Sequence, residues 1–585
     1  MNRKLAEGRG AKLGLLPGIV LCVAVAVVSG AQQPSQQQSA PEAQQPPPAQ
    51  PGPPQTPEGG PETHITPDQA RQLFASVDEI MNFASGETGL PIKSTVKREL
   101  TTRAAIESYL MKKLNDDKES KRMERDAIVL KKFGLLDRDF QLKPFLLALL
   151  KEQIEAYYDT KTKTINLLDW VQPDEQKPVM AHELTHALQD QHLDLEKWGS
   201  QTPDDVSTTM AGDQDHLAKD EMDAARDAVS EGQATAVMID YRLKPLGKSL
   251  IKDPEVLDLI RRHMDASADS PVMARAPLLI SESMLFPYRD GLSFEQDVWM
   301  DEGQNAAFAG ALDRSPTSTW EILNPRDYER KLIPPLPLLP DTHPIVDGLY
   351  RPYDIGQVGQ LDVQIMTQLM GGDEAARDLT SAWDGGLYWA GQLRSAATPA
   401  EQDNTKSLAI YYLSVWRNSA SAQQFAQLYA NNLGRKYFSV APDAAAQTSA
   451  STEAGSIEQD FTTDEGSVTI TTRDNLVFVA ESFPLKMARQ LTSLMLDAQG
   501  GGAMRTAHAA SPHSLFVPSS VALSAPTASP FGPAADPISE PLSASFVRFF
   551  AGCGAMKAVV DAELETVRAP ITVRPALDSL IRRGR

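Results

Sequence analysis

The 585-residue sequence has only two cysteines, Cys22 and Cys553. Cys22 lies within an N-terminal apolar stretch that is predicted to be removed with a signal peptide. Cleavage would leave one cysteine, so an intramolecular disulfide is excluded even in an oxidising compartment. The stability of the mature chain must therefore come from buried apolar cores, and the chain is long enough to form one or two.

Positive charge is also scarce, because 56 lysines and arginines stand against 77 aspartates and glutamates. The resulting net charge of −21 and pI of about 4.9 favour solubility. They argue against nucleic acids and anionic membrane surfaces as partners. Beyond the N-terminal segment, no apolar run approaches the roughly 20 residues that span a bilayer, so no stable membrane insertion is expected after cleavage.

Residues 1–31 have the three parts of a secretory signal peptide. A basic start precedes an apolar core at residues 19–28, and the small residues Ser29, Gly30 and Ala31 form a cleavage site. An uncleaved anchor is the alternative, but the apolar core is short for a membrane span. The sequence therefore predicts a secreted, periplasmic or cell-envelope protein.

Composition predicts the remaining domain boundaries. Residues 32–63 are dominated by glutamine and proline, and residues 500–585 by glycine, alanine, serine and proline, so both are predicted to be disordered. A first folded region, residues 64–330, starts with a helical lobe, and an α+β subdomain follows at residues 345–490. A proline-rich extended segment at residues 332–344 connects the two.

Hydrophobic periodicity favours a mostly helical α+β fold. The predicted helices cover residues 70–83, 104–114, 124–136, 145–154, 179–191, 220–243, 362–370 and 419–433. The predicted strands are residues 156–158 and 164–168, which form a hairpin, residues 408–415, and a second hairpin of residues 467–472 and 476–480.

The helix at residues 179–191 contains His182-Glu183-Leu184-Thr185-His186. Residues i and i+4 share one helix face, so both imidazoles can reach one metal ion. Glu183 is rotated by about 100° from His182, beside the ion and free to act on an activated water. With nine histidines, a chance match is expected in on the order of one such chain in a hundred. The pattern predicts a zinc site facing a cleft, with Leu184 on the opposite, buried side.

A hydrolytic zinc site normally has three protein ligands, and Glu231 is the best candidate for the third. Its predicted helix carries small residues on the same face, which would allow a close approach to the histidine helix. Asp227, one turn earlier, could accept the second ring N–H of a ligating histidine. The alternative is an ordinary solvated acidic helix, since Glu221 and Asp223 also belong to it.

These motifs resemble the gluzincin zinc metallopeptidases, in which a Glu on a second helix completes His-Glu-x-x-His. More narrowly, the chain is similar to a group of secreted bacterial proteins assigned to the metallopeptidases on sequence grounds. The matching segments are residues 156–167, 181–191, 230–235, 286–291, 318–325 and 383–386, within residues 91–487. One departure is the long interval between His186 and Glu231, where residues 196–218 are expected to form a loop or lid.

The resemblance implies a zincin-like fold with a small edge sheet and an active-site helix. It also implies one Zn²⁺ held by His182, His186 and Glu231, with Glu183 as the general base that hydrolyses peptide bonds of a protein or peptide substrate. The edge of the first hairpin could pair with an extended peptide or only support the helix. Tyr288 is the candidate oxyanion stabiliser, and the alternatives are Tyr241, His192 and His263.

Two other functions fit the same motifs. The chain could be an exported binding or scaffold protein that keeps the metal without catalysis, or it could hydrolyse non-peptide amides of the cell envelope. Intact His182, Glu183 and His186 argue against the scaffold, because a scaffold has no need of Glu183.

Overall fold

The protein is described here by a computed structural model. It describes residues 64–114, 117–152, 156–199, 201–203, 206–254, 256–257, 271–445 and 456–500. The predicted signal peptide (residues 1–31), the linker (residues 32–63), nearly all of the tail (residues 500–585) and His263 lie outside this part of the chain.

The described helices are distributed along both predicted regions. In chain order they are α1 (Pro67–Thr88), α2 (Arg103–Leu114), α3 (Asp117–Phe133), α4 (Leu142–Glu152), α5 (Pro173–His192), α6 (Leu195–Trp198), α7 (Met210–Leu217), α8 (Met222–Leu243), α9 (Leu278–Glu302), α10 (Ala311–Asp313), α11 (Thr319–Leu323), α12 (Pro325–Glu329), α13 (His343–Val346), α14 (Gln360–Ala382), α15 (Pro399–Gln402), α16 (Ser419–Asn431) and α17 (Leu485–Ala498).

The described strands form two sheets. They are β1 (Lys97–Thr101), β2 (Tyr157–Asp159), β3 (Thr164–Leu168), β4 (Tyr350–Gln357), β5 (Trp383–Leu393), β6 (Leu408–Trp416), β7 (Val440–Pro442), β8 (Ser456–Thr463), β9 (Gly466–Arg473) and β10 (Leu476–Glu481). The α+β class predicted from the sequence is therefore confirmed.

The N-terminal helix begins at Pro67, three residues before the predicted start at residue 70. Thr66 accepts a hydrogen bond from the Gln69 backbone, and the Gln69 side chain accepts one from the Thr66 backbone. This reciprocal cap satisfies two N–H groups that would otherwise lack partners. Helix α1 then packs its apolar side against α5.

The first sheet has the order β1-β3-β2. Strands β2 and β3 pair antiparallel, which confirms the predicted hairpin, whereas β1 pairs parallel with β3 and was not predicted. All five residues of β3 are buried, while β1 is half exposed. Strand β2 lies at one edge of this sheet, and the central strand β3 directly precedes helix α5 in the chain.

The second sheet is antiparallel throughout and has the order β4-β5-β6-β10-β9-β8-β7. The sequence predicted β6, β9 and β10, which are three adjacent strands of this sheet. The other four were not predicted, so the C-terminal α+β part is larger than expected. Helix α14 also extends well beyond residues 362–370, with a kink at Gly372, where φ is 76°.

Helices α8 and α9 cross at very short range. A Cβ atom on Gly232 would lie 2.3 Å from the backbone oxygen of Gly291, and a Cβ on Gly291 would lie 2.2 Å from that of Ala228. Only glycine permits such contact between backbones. The segments around Glu231 and Tyr288, both part of the family resemblance, are thereby held together.

Helix α5 differs from its predicted two-sided pattern. Every residue from Gln176 to Asp190 is buried except Lys177, which is half buried, so the helix is enclosed on all faces. Met180, Leu184, Ala187 and Leu188 contribute to the main core, as expected. The opposite face does not border open solvent but packs against α8. No helix in the described ranges is both long and apolar enough to cross a membrane.

Candidate metal centre

Helices α5 and α8 bring His182, His186 and Glu231 together. The Nε2 atoms of the two histidines are 3.1 Å apart, and His182 Nε2 lies 3.1 Å from Glu231 Oε2. His186 Nε2 is 3.6 Å from the other oxygen of Glu231. One donor atom from each residue lies within 4.8 Å of the others. The two neighbouring helices therefore present three potential ligands to one point.

These separations fit a zinc ion. Three donors at bond lengths of about 2.0–2.2 Å in tetrahedral geometry lie roughly 3.3 Å from one another. The observed distances surround that value: 3.1 Å between the imidazole nitrogens, 3.1 Å from His182 to one oxygen of Glu231, and 3.6 Å from His186 to the other oxygen. Two imidazoles and one carboxylate are also a donor set that zinc uses in hydrolytic sites.

The charge states of the three side chains suit a cation. Burial lowers the pKa of His186, and the nearby Glu231 only partly offsets that effect. Burial alone would raise the pKa of Glu231, but His186 and the hydrogen bonds from both histidines outweigh it and lower the pKa to about 2. Neutral His186 and anionic Glu231 are the forms that bind metal.

A chain of amide side chains orients His186. Its Nδ1 lies 2.7 Å from Gln189 Oε1 and 3.2 Å from Ser230 Oγ. Gln189 Nε2 donates to the Ser230 backbone oxygen and to Gln233 Oε1. Gln233 in turn donates to Ala307 and Phe308 in a single π-helical turn. This network fixes the ring so that Nε2 points toward Glu231.

The sequence analysis assigned no role to Gln189. The spacing could have indicated the contact, because Gln189 follows His186 by three residues and so lies beside it on the helix. Asp227 had been predicted as the partner of a histidine ring. It is half buried one turn before Glu231, whereas the acceptor at His186 Nδ1 is Gln189. For His182, the role of Asp227 stays a prediction.

We expect replacement of Gln189 with leucine to weaken zinc binding by about 10- to 100-fold, because the acceptor that sets the His186 tautomer is lost. Gln189→Glu keeps an acceptor at the same place and should retain most of the affinity. Zinc affinity, measured by competition with a chromophoric chelator, provides the comparison. Equal affinities of Gln189→Leu and the parent would contradict the orienting role.

Glu183 contacts the edge strand β2. Its Oε2 accepts a hydrogen bond of 2.8 Å from the backbone N–H of Tyr158. The Tyr158 hydroxyl donates to Asp190 at 2.8 Å, so the same strand is tied to α5 at a second point. Strand β2 thus holds Glu183 in place through its backbone. The predicted pairing of this edge with a peptide stays a prediction, and the Tyr158 N–H already has a partner.

Tyr288, the candidate oxyanion stabiliser, lies beside the metal-binding group. It is fully buried in α9, and its ring stacks near His182 with centroids 6.3 Å apart. Of the alternatives, His192 Nε2 lies 2.9 Å from Asp313 Oδ1, and Tyr241 packs edge-to-face on Phe83. The structure therefore places Tyr288 close to the site, while its catalytic role stays a prediction.

Burial is the property of this centre that the sequence did not predict. His182, Glu183 and Glu231 are 0% exposed, and His186 is 1% exposed. The donor atoms are therefore shielded from bulk solvent, which strengthens their interaction with a bound cation.

Comparisons of this chain with protein-family models, with curated proteins and with solved structures found no match. The functional argument therefore depends on the chemistry of the site.

Proposed function

We propose that this chain is an exported zinc-dependent metallopeptidase of the gluzincin type, with a zincin-like catalytic region. The supporting observation is the convergence of His182, His186 and Glu231 within 4.8 Å, with Glu183 next to the first of them in the chain. A hydrolytic zinc site requires both a three-residue ligand set and an adjacent base.

Bound zinc would polarise the scissile carbonyl and make an attacking water more acidic. In the chain itself, Glu183 takes the proton of that water and later passes it to the leaving amine. The hydrogen bond from the Tyr158 backbone directs the carboxylate for this transfer. Tyr288 is proposed to donate to the oxyanion that develops near His182.

The burial of the centre supports a second candidate, a protein that holds zinc as a structural element without catalysis. The two histidines, Glu183 and Glu231 are each at most 1% exposed. Catalysis requires the surrounding elements to separate far enough to admit a peptide, whereas a structural zinc does not. The two candidates predict the same metal content and different activity.

The test is hydrolysis of an unstructured protein by the purified chain, with zinc content measured on the same sample. We expect one zinc per chain and hydrolysis that falls at least about 100-fold after chelation, because the metal would polarise the scissile carbonyl and activate the water. Added zinc should restore the activity. Bound zinc without hydrolysis of proteins or peptides would favour the structural role, and full activity in a zinc-free sample would contradict the proposal.

A further inference from the structure

A cavity of about 240 Å³ lies between the two folded regions. Its walls come from α3, the start of α8, strand β4 and the first turns of α14. Ala224 in its wall, Asp227 and Glu231 follow one another along α8 at intervals of three or four residues, which places them on one helix face. Ala224 and Glu231 are separated by about 10 Å along the helix axis. The cavity is thus distinct from the metal centre but lies on the same side of α8.

The polar lining is strongly acidic. The carboxyl groups at the cavity are those of Asp126, Asp220, Glu221, Asp223, Asp354 and Asp362. The basic side chains are Arg125, which lies 3.8 Å from Asp126, and His216. Among the side chains that line the cavity, carboxyl groups thus outnumber the one guanidinium, so the lining is predominantly acidic and rich in hydrogen-bond acceptors.

The acidic side chains are fixed in position by the surrounding fold. Asp220 Oδ2 accepts from the Gln357 backbone at 2.7 Å, and Glu221 Oε2 accepts from both the backbone and the hydroxyl of Thr319. Glycines make room for them, since a Cβ on Gly356 would lie 2.7 Å from Asp220 and one on Gly359 would lie 2.3 Å from Glu221. The arrangement is therefore a preformed acidic pocket rather than a mobile surface patch.

Burial makes this charge costly without a counter-ion. It raises the pKa of Glu221 and of Asp223. For Asp354, burial and then the neighbouring Asp126 raise the pKa to about 6, against the opposing effect of Arg125. A bound cation would stabilise the ionised forms of all three groups.

His216 provides an independent sign of a ligand. Its residue is 6% exposed, it lines the cavity, and its Nδ1 is a buried atom with no hydrogen-bond partner among the described residues. The other ring nitrogen faces Asp220 at 3.7 Å. A buried polar atom without a partner costs about 1–3 kcal/mol. A donor group in the cavity would remove that cost.

The remaining walls favour an organic cation over a metal ion. They are formed by Val129, Leu130, Phe133, Leu135, Ile355, Val358 and Met366. Within the described ranges, the only group of three close ligand atoms that could hold a metal is His182, His186 and Glu231. An alkyl stem suits the apolar wall, and a planar cation with several N–H donors suits the separated carboxylates.

We propose that this cavity binds a guanidinium or primary ammonium group carried on an alkyl stem, with guanidinium preferred. Asp220, Glu221 and Asp354 supply the negative charge, and His216 Nδ1 accepts a further hydrogen bond. The binding itself does not depend on the proposed peptidase function. If the chain is a peptidase, an arginine or lysine side chain of its substrate is a natural source of the cation.

The test is calorimetric titration of the purified chain with N-acetyl-arginine-N′-methylamide, with the citrulline analogue as the neutral counterpart of the same shape. We expect the arginine compound to bind at least about tenfold more tightly, because a buried charge pair is lost with citrulline. Asp354→Asn should weaken binding of the arginine compound by about tenfold or more. Ala224→Leu, which fills the cavity without changing its charge, should abolish binding.

Asp378→Asn is the matched control, because Asp378 is exposed on α14 outside the cavity. Each variant is first checked for a parent-like thermal transition and zinc content, which separates failure of this proposal from failure of the metal centre. Agmatine and an arginine-containing peptide then distinguish a free amine from a peptide side chain. Equal binding of the arginine and citrulline compounds, or no binding by either at millimolar concentration, would overturn the proposal. So would binding of Ca²⁺ or Mg²⁺ at these carboxylates instead.

Discussion

Replacement of Glu183 with glutamine is expected to lower kcat for peptide hydrolysis by about 10²- to 10⁴-fold, the usual contribution of a general acid–base group. Glutamine keeps the shape of the side chain and an oxygen that can accept from the Tyr158 backbone, whose hydrogen bond to Glu183 is 2.8 Å long. It cannot take a proton from water. Zinc content should remain that of the parent, because Glu183 is not among the three converging ligands.

Glu175→Gln is the control for this variant. Glu175 belongs to the same helix but lies exposed in its first turn. Both variants lose one carboxylate from α5, and only Glu183→Gln should lose activity. Parent-like turnover by Glu183→Gln, measured by release of amines from an unstructured protein, would remove Glu183 from the proposed mechanism.

Replacement of Glu231 with alanine is expected to abolish stoichiometric zinc binding. Glu231 is the only anionic ligand in the group, and its two oxygens approach both histidines. Two imidazoles on one helix would leave the ion with one protein donor fewer than the three of a hydrolytic zinc site. Zinc should therefore raise the melting temperature of the parent and leave that of Glu231→Ala unchanged. At a zinc concentration about 1,000 times Kd, the stabilisation of the parent is about 4 kcal/mol.

Glu374→Ala, at an exposed glutamate of α14, provides the matched control. It removes the same carboxylate from a helix that does not contribute to the metal centre. Its zinc content and its zinc-dependent melting temperature should equal those of the parent. If Glu231→Ala still binds one zinc per chain with parent affinity, the ligand set is wrong even if the protein is a hydrolase.

The features that the sequence predicted well are local ones. The histidine spacing and the apolar positions around Leu184 define α5, and the small residues near Glu231 define a helix that packs closely on its neighbours. Helix periodicity and caps can be interpreted from a few consecutive residues. The β2–β3 hairpin was predicted for the same reason, since its strands are separated by one short turn.

The features that were missed depend on distant parts of the chain. Strand β1 is separated from its partner β3 by more than sixty residues of sequence. Strands β4 and β5 also pair with each other, although the whole of helix α14 lies between them in the chain. Their pairing partners cannot be inferred from local patterns. The partly exposed β8 also lacks a continuous apolar pattern. In the second sheet, only the three adjacent strands with the most regular apolar or alternating sequences were recognised.

The burial of the metal centre and the acidic cavity are also products of tertiary structure. In the sequence, Asp126, Asp220 and Asp354 are far apart, and the individual residues are indistinguishable from solvated aspartates. Only the packing of α3, α8 and β4 around one space brings them together. The cleft beside the histidines stays a prediction, because helix periodicity shows that a face is polar but not what covers it.

The central claim, that His182, His186 and Glu231 bind one zinc ion, is tested most directly by zinc X-ray absorption on the purified chain. We predict one zinc per chain with two imidazole nitrogens and carboxylate oxygen at about 2.0–2.2 Å, and no such signal from Glu231→Ala. A chain that contains no zinc after purification with the metal present would contradict the claim. A spectrum unchanged in Glu231→Ala would contradict it equally.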